Sequence, residues 1–231
     1  DIAEVELFSP ELTVGRRMEG RPAVGIDVFK TTQANVVDVA DRVLEAIEKD
    51  FVPEAHRALA FVDMEIPLGH GQAMWTPKLE ARAIQELAIR PTDRVLEVGT
   101  GSGYLTALLA TEAAEVVSVD IVPEFTASAT RKLRAHGFDN VTLHSGDAAR
   151  DWLDEAGFDV IVLTGSTPLL SDAFRRRLNV GGRLFAIVGE PPVMQAQLIT
   201  CMAPGAFRSV TLFETCVAPL LNAPHPAAFV F

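Results

Sequence analysis

Short apolar runs and amphipathic segments alternate from Arg94 to Val188, and this alternation limits the fold more than any other feature. Five apolar runs are long enough for one strand each: "RVLEV", "VVSVD", "VTLH", "FDVIVL" and "RLFAIV". Segments with helical spacing separate most of them. Strands that are apolar along their whole length are typical of a parallel sheet covered on both faces. The pattern predicts an α/β, doubly wound, mainly parallel sheet with "RVLEV" at its centre.

The chain ahead of this region has a different character. Residues 1–36 show no steady period and predict an extended or partly ordered arm. A short amphipathic helix is expected from Asp41, and a second after Pro77. The stretch "LGHGQAMWTP", residues 68–77, is too polar and broken for a strand and predicts a loop. We therefore divide the chain into an N-terminal part, 1–77, and a sheet domain, 78–231, and expect the two to form one compact unit.

Composition narrows the function. The 231 residues are 48% apolar and carry a formal net charge of −11, which disfavours a nucleic-acid partner. No apolar run is long enough to cross a membrane, and no signal peptide is visible, so we expect a cytoplasmic protein. Cys201 and Cys216 are expected to be buried free thiols. No spacing of Cys or His resembles a metal site, so no metal is expected.

The first strand leads directly into a glycine-rich loop and a helix, in "VLEVGTGSGYLTALLA". Gly99, Gly101 and Gly103 allow a tight turn and let the backbone approach a ligand closely. The loop is preceded by an acidic residue, Glu97. The G-x-G-x-G spacing differs from the G-x-G-x-x-G of dinucleotide-binding proteins, which argues against NAD.

Two further acidic residues follow the next strands. Asp120 ends the second strand, where a carboxylate can accept hydrogen bonds from a ribose diol, and Asp147 follows the third, within reach of an adenine amino group. Ligands of open parallel sheets bind at the carboxyl ends of the strands. The pattern favours S-adenosylmethionine, although glycine turns and strand-end acids can also simply terminate strands.

These stretches resemble the class I methyltransferases and, more closely, protein-L-isoaspartate O-methyltransferases. The resemblance runs from Gln33 to Leu220 and is most specific in the block "FVP…D…PLGHGQ…P" before the glycine loop. It implies a seven-stranded Rossmann-like sheet with an N-terminal helical extension. It also implies methyl transfer from S-adenosyl-L-methionine to a carboxylate, with S-adenosyl-L-homocysteine as product and a role in protein repair.

The resemblance implies a set of site residues. The cofactor would be bound by Met74, Glu97, Gly99, Thr100, Gly101, Ser102, Gly103, Asp120, Ile121, Asp147 and Ala148. The acceptor side would be formed by Gln72, Thr164 and Ser166.

The catalytic loop departs from the family pattern. Relatives of this kind read Thr-Ile-Ser where this chain has Ala73, Met74 and Trp75, so Trp75 stands at the position of the residue usually named as catalytic. Its ring either plugs the core or lies against a ligand. Thr76 could replace the lost hydroxyl only if the loop shifted. His70 is expected to stabilise the loop, and Tyr104 either packs or touches the cofactor.

Three functions remain open on the sequence alone. The first is an isoaspartate-type methyltransferase with a peptide acceptor. The second is a paralogue that methylates a different acceptor, either a small molecule or another protein carboxylate. The third is a protein that binds S-adenosylmethionine without catalysis. The loss of the family's Thr and Ser favours the second and third over a strict repair enzyme, and the oligomeric state is left open.

Overall fold

A computed structural model describes the secondary structure of residues 17–18, 21–22, 51–60, 62–150 and 157–226. Strands β1 (Arg17–Met18) and β2 (Arg21–Pro22) pair as a short antiparallel hairpin. The helix predicted from Asp41 lies outside the described residues, as does most of the predicted N-terminal arm.

The remaining elements follow in chain order. The first group is a 3-10 helix (Glu54–Leu59), β3 (Ile66–Gly69), β4 (Gln72–Met74), α1 (Pro77–Leu87), β5 (Arg94–Val98), α2 (Tyr104–Glu112), β6 (Glu115–Asp120), α3 (Pro123–Ala135) and β7 (Val141–Ser145). The second group is a 3-10 turn (Ala148–Arg150), β8 (Phe158–Thr167), α4 (Asp172–Arg176), β9 (Leu178–Glu190), β10 (Val193–Ala203) and β11 (Ala206–Thr215).

Seven strands form one sheet in the order β11-β10-β9-β8-β5-β6-β7. The five strands from β9 to β7 are parallel, and β10 and β11 pair antiparallel at one edge. β5 lies between β6 and β8, so the chain reverses its direction across the sheet at β5. The predicted parallel sheet with "RVLEV" at its centre is confirmed. The glycine loop after β5 therefore lies at the switch point, where α/β sheets bind ligands.

Burial explains why these segments form a layered core. Val95 to Val98 are all buried, as expected for a central strand with helices on both faces. α2 is buried on nearly all sides, whereas α1 buries one face. α1 begins with Pro77 in its first turn, and the Thr76 hydroxyl accepts a hydrogen bond from the Leu79 amide at 3.3 Å.

The segment from Leu68 to Pro77 contains an unexpected hairpin. The prediction of a loop without strands was wrong, because β3 and β4 pair through Ile66 with Met74 and Pro67 with Ala73. Gly69, His70 and Gly71 all adopt positive φ and make the tight turn. The strands are too short to show an alternating pattern in sequence, and two of the three turn residues are glycines, which adopt positive φ without strain.

The family resemblance implied seven strands, which is confirmed, but the positions and the order of the last two were left open. β10 and β11 form a long hairpin whose outer strand is mostly exposed on both faces. The five apolar runs predicted as strands are all present, and β8 and β9 extend several residues beyond their predicted ends. Cys201 on β10 is buried, but the expectation for Cys216 was wrong, because this thiol is exposed just after β11.

Residues on both sides of position 77 share one buried cluster. Phe51, Ile66 and Trp75 pack in the same hydrophobic core as Val95 and Phe185. The boundary between 77 and 78 stays a prediction. No helix in the described part of the chain is long and apolar enough to span a membrane.

Candidate functional site

A cleft of about 840 Å³, including its open mouth, lies at the carboxyl ends of β5, β6, β7 and β8. The predicted site residues that line it are Gln72, Met74, Trp75, Gly99, Thr100, Gly101, Ser102, Asp120, Ile121, Asp147, Ala148 and Thr164. Residues that are distant in sequence are thus brought to one cleft, but their roles in binding stay predictions.

The glycine loop is held against β8. Gly99 has a φ of 102°, and a Cβ there would overlap the Thr164 hydroxyl oxygen. That hydroxyl, at 2.9 Å from each acceptor, is placed to donate to the carbonyls of Val98 and Gly99. Only glycine fits this conformation and this spacing. The loop therefore leaves its backbone open to the cleft.

Asp120 is fixed at the end of β6. One carboxylate oxygen accepts a hydrogen bond from the Gly101 amide at 2.8 Å, and the other accepts one from the Val122 amide at 2.9 Å. Burial raises the pKa of Asp120, and its backbone hydrogen bonds and nearby His70 oppose that rise. The carboxylate is therefore rigid and has lone pairs left for a ribose diol.

Asp147 lies at the end of the cleft beyond β7. Its Oδ1 accepts a hydrogen bond from the Ala149 amide at 3.1 Å, and its Oδ2 accepts one from the Asn222 side chain at 2.8 Å. Leu220 and Leu221 also line the cleft. This C-terminal segment was missed from the sequence, because no motif marks it and only folding brings it beside β7.

Glu97 does not line the cleft, and its predicted part in cofactor binding stays a prediction. It is fully buried beneath the glycine loop, where Thr106 and Ser118 donate hydrogen bonds to one oxygen at 2.5 and 2.6 Å. Burial raises its pKa to about 8, against the lowering effect of these two hydrogen bonds. These hydrogen bonds connect Glu97 on β5 to α2 and β6 beside the loop.

Two further predicted residues also lie outside the lining. Ser166 is fully buried, and its hydroxyl donates to the Val217 carbonyl at 3.2 Å. Gly103 faces α3, where a Cβ would stand 2.9 Å from that of Ala129. Ser166 thus holds the C-terminal segment and Gly103 allows close helix packing, while their parts in binding stay predictions.

The Trp75 ring packs in the core and also borders the cleft. It meets Phe185 edge to face, with ring centroids 6.0 Å apart, and only 6% of the residue is exposed. Its indole N–H is buried and has no hydrogen-bond partner among the described residues. Because the Thr76 hydroxyl caps α1, neither residue offers the hydroxyl that the family carries here.

The two other aromatic groups singled out near the loop have packing roles. Tyr104 is buried against the Phe51 ring, at a centroid distance of 6.2 Å, and does not line the cleft. His70 meets the edge of the Phe125 ring at 5.5 Å and supports the β3–β4 turn, in line with the stabilising role expected for it.

Glu80 is a lining residue that the sequence analysis missed. It lies on the buried face of α1 with Leu79, Ala83 and Leu87, and only 5% of it is exposed. Burial raises its pKa well above the usual range, and the nearby Glu97 carboxyl raises it further. An acidic residue on an otherwise apolar helical face was the signal that could have identified it.

Comparison with known proteins identifies the family. The profile of the protein-L-isoaspartate(D-aspartate) O-methyltransferase (PCMT) family matches residues 26–219. This chain belongs to that family. A protein-L-isoaspartate O-methyltransferase of Myxococcus xanthus is 43% identical over 64% of this chain and 72% of its own length. Protein-L-isoaspartate O-methyltransferase 2 of Marinobacter nauticus is 36% identical over 78% of this chain and 85% of its own.

Solved structures agree with the fold. A crystal structure of a candidate PCMT from Plasmodium falciparum, in complex with S-adenosyl-L-homocysteine, superposes with a TM-score of 0.68 at 19% identity. The superposition covers 79% of this chain and 90% of the Plasmodium falciparum chain. A second structure, described as a protein-L-isoaspartate O-methyltransferase, gives a TM-score of 0.65 at 20% identity, over 79% of this chain and 62% of the other.

The comparisons confirm several predictions together. The recognised family, the class I Rossmann-like fold, the methyltransferase activity and S-adenosylmethionine as methyl donor are confirmed. Membership of this family supports catalytic methyl transfer over binding of S-adenosylmethionine without catalysis, so the protein is an enzyme. Among the described residues no group of three or more His, Cys, Asp or Glu is arranged to hold a metal ion.

Proposed function

We propose that this protein transfers a methyl group from S-adenosylmethionine to a free carboxylate of a protein or peptide, of the isoaspartyl type. The single observation that carries the proposal is the cleft at the switch point. It combines the open glycine loop with the fixed carboxylates of Asp120 and Asp147 in a member of the PCMT family.

The lining fits the cofactor in an extended arrangement. β7, β6 and β5 are neighbours in the sheet, so their carboxyl ends form a row. Asp147 and Ala148 at the end of β7 would hold the adenine, and Asp120 at the end of β6 would hold the ribose. Gly99 to Ser102 after β5 would then lie along the methionine part, whose sulfonium supplies an activated methyl group.

The protein needs no general base for this reaction. The acceptor carboxylate is already ionised at neutral pH, so its oxygen can attack the methyl carbon while the sulfur leaves as a neutral sulfide. The chain contributes alignment and exclusion of water. The β3–β4 hairpin covers the cleft through Leu68, Gln72 and Met74, and Thr164 fixes the opposite wall through the glycine loop.

A second acceptor is favoured by one observation. The indole of Trp75 fills the core beside Phe185, and Ala73 has no polar side-chain atom, so the hairpin offers no hydroxyl to an acceptor carboxylate. Losing a hydrogen bond to a charged group costs about 1.5–3 kcal/mol. A carboxylate on a protein or small molecule other than isoaspartate, held by different contacts, is therefore the alternative.

Transfer of labelled methyl groups tests the proposal. Wild-type protein is incubated with labelled cofactor and either an isoaspartyl peptide or the matching aspartyl peptide, and base-labile label is counted. We expect slow labelling of the isoaspartyl peptide and none of the control. No label in that peptide or in any carboxylate of a cell extract contradicts the proposal.

The loop variant separates the two acceptors. Replacing Ala73 by Thr and Trp75 by Ser restores the family's hydroxyls. A faster rate on the isoaspartyl peptide supports that acceptor. A loss of labelling of extract proteins, without a gain on the peptide, supports the alternative. A wild-type rate equal to that of an ordinary repair enzyme would mean that the backbone alone holds the carboxylate.

The protein or peptide acceptor follows from the family, and no feature of the described chain indicates a nucleic-acid or membrane partner. The cytoplasmic location stays a prediction.

A further inference from the structure

Glu80 is a carboxyl group without a partner at the edge of the cleft. Among the described residues no hydrogen bond or ion pair to its carboxyl group opposes the effects of burial and of Glu97 on its pKa, although only 5% of the residue is exposed. The charged groups that influence it are Glu97 on β5 and the phenol of Tyr104 on α2. Burying a carboxyl group without a partner costs stability, and only a bound ligand that pairs with it would offset this cost. Such a group therefore indicates a ligand at this place.

All the charged side chains that line the cleft are acidic. Glu80, Asp120 and Asp147 line it, and no Lys, Arg or His of the described chain does. Asp120 and Asp147 already accept hydrogen bonds from the protein and lie at the ends of β6 and β7. Glu80 instead lies near Glu97 of β5, at the other end of the row. A cleft lined in this way attracts a cation, and its free carboxyl marks where the positive charge would lie.

We propose that Glu80 is the counter-ion for the positively charged methionine end of the cofactor. This rests on the proposed function, in which the adenosine occupies the Asp120 and Asp147 end. The methionine end carries an ammonium group, an α-carboxylate and, before methyl transfer, a sulfonium, so its net charge is positive only before the transfer. The ammonium and the sulfonium are both cations that a buried carboxylate without other partners can pair with. Glu80 is a cofactor-positioning residue at a place where the sequence analysis predicted none.

The pairing has a consequence for protons. In the free protein, burial and Glu97 raise the pKa of Glu80, so it stays protonated to a higher pH than an exposed carboxyl. A bound cation favours the ionised form, so binding releases the proton. The affinity for a cationic ligand must then rise with pH across the range where free Glu80 is protonated. The pKa of Asp120 is raised as well, so Asp120 can also release a proton when a ribose binds. A ligand that has the ribose but no positive charge is therefore needed to measure this release separately.

Calorimetry in two buffers of different ionisation enthalpy measures the proton release directly. The ligands are S-adenosylmethionine, S-adenosylhomocysteine and 5′-methylthioadenosine, which has neither the ammonium nor the sulfonium. We expect the wild type to release more protons with S-adenosylmethionine than with 5′-methylthioadenosine, by up to about one per site. S-adenosylhomocysteine should share this extra release if the ammonium is the partner of Glu80, and should lack it if the sulfonium is. Equal release with S-adenosylmethionine and 5′-methylthioadenosine overturns the proposal without any variant.

The Glu80→Gln variant provides a second test of the pairing. It should weaken binding of S-adenosylmethionine about tenfold or more, remove the extra proton release, and leave 5′-methylthioadenosine binding unchanged. Glu86→Gln is the matched control, because Glu86 lies on the same helix and pairs with Arg82 at the surface. An equal loss for both methionine ligands assigns the pairing to the ammonium, and a loss for S-adenosylmethionine alone assigns it to the sulfonium.

The outcomes separate this inference from the proposed function. If the wild type binds none of the three ligands, the proposed cofactor site is wrong and the inference falls with it. If S-adenosylmethionine binds to Glu80→Gln with wild-type affinity and proton release, only the inference is overturned. Should Glu80→Gln fold poorly, Glu80→Ala provides the same comparison.

Discussion

The two ends of the cleft differ in how completely their polar groups are paired. At the adenosine end, Asp120 and Asp147 accept hydrogen bonds from backbone amides and from Asn222. At the hairpin end, the Trp75 indole N–H has no hydrogen-bond partner among the described residues. Burial and the Glu97 carboxyl raise the pKa of Glu80, and no hydrogen bond to its carboxyl opposes them. The paired end is organised before any ligand arrives, whereas the other end has polar groups that only a ligand or a rearrangement can pair.

This difference separates the residues that follow the family pattern from the residues that are particular to this chain. The paired end uses backbone and strand-end carboxylates, which the family's glycine loop arranges. The unpaired end contains the substituted residues Ala73 and Trp75. We therefore expect changes at the paired end to damage the fold and cofactor binding. Changes at the unpaired end that keep the packing of the core should alter selectivity with less effect on stability.

The largest effect is expected from Gly99→Ala at the paired end. The new Cβ would overlap the Thr164 hydroxyl and would also require a left-handed backbone. The free energy of unfolding should fall by about 2–5 kcal/mol, as measured by urea denaturation. Gly137→Ala is the control, because Gly137 also has positive φ, but a Cβ added there would have no neighbouring atom within 4 Å. An equal loss in both variants would mean that close approach to Thr164 contributes nothing.

The buried Glu97 between the two ends should make stability depend on pH. Its pKa is about 8 in the folded protein against 4.5 for an ordinary Glu, so the folded state binds more protons between these values. The contribution of Glu97 to the free energy of unfolding is therefore fully present below about pH 4.5. It is lost as the pH rises through 8, by on the order of a few kcal/mol. The raised pKa values of Glu80 and Asp120 act in the same direction.

Glu97→Gln should flatten this pH dependence, since the amide keeps an acceptor for Thr106 and Ser118 but does not ionise. Urea denaturation at about pH 5 and about pH 8.5 measures the change. The exposed Glu124→Gln should keep the wild-type slope. A slope that survives Glu97→Gln unchanged would assign the titration to another group.

Asp120→Ala should weaken cofactor binding by about 1.5–3 kcal/mol, because it removes a charge-assisted contact to the ribose. Calorimetry with S-adenosylhomocysteine measures it. Asp120→Asn, which retains an acceptor for one backbone amide, should lose less. The exposed Asp139→Ala should bind normally, and an Asp120→Ala protein that also binds normally would place the ribose elsewhere.

The smallest effect is expected from Trp75→Phe at the unpaired end. The change removes an N–H without a partner and keeps a ring against Phe185, so the free energy of unfolding should change by less than about 1 kcal/mol. Trp75→Ala should cost about 3–5 kcal/mol, because it leaves a cavity. A large loss in the Phe variant would reveal a partner for the indole N–H.

Local patterns in the sequence were sufficient for much of the fold. Five apolar runs located five strands, and the glycines after Val98 marked the switch point, because the required backbone conformation excludes other residues. The β3–β4 hairpin escaped prediction because its strands are short and only His70 and Gly71 separate them. For β10 and β11 the family resemblance implied that two more strands exist, but not which residues form them or in which order they lie.

The sequence by itself determined the parallel sheet, the glycine loop and the acidic residues at the ends of β6 and β7. These depend on residues close in the chain, whose spacing reports strand ends and turns directly. Only the tertiary structure decided that Glu97 and Ser166 lie behind the cleft, and that Glu80 and the segment around Leu220 line it. The physical reason is that a side chain's burial and partners depend on contacts between distant segments. Asn222 meets Asp147, and Trp75 meets Phe185, only after the chain has folded.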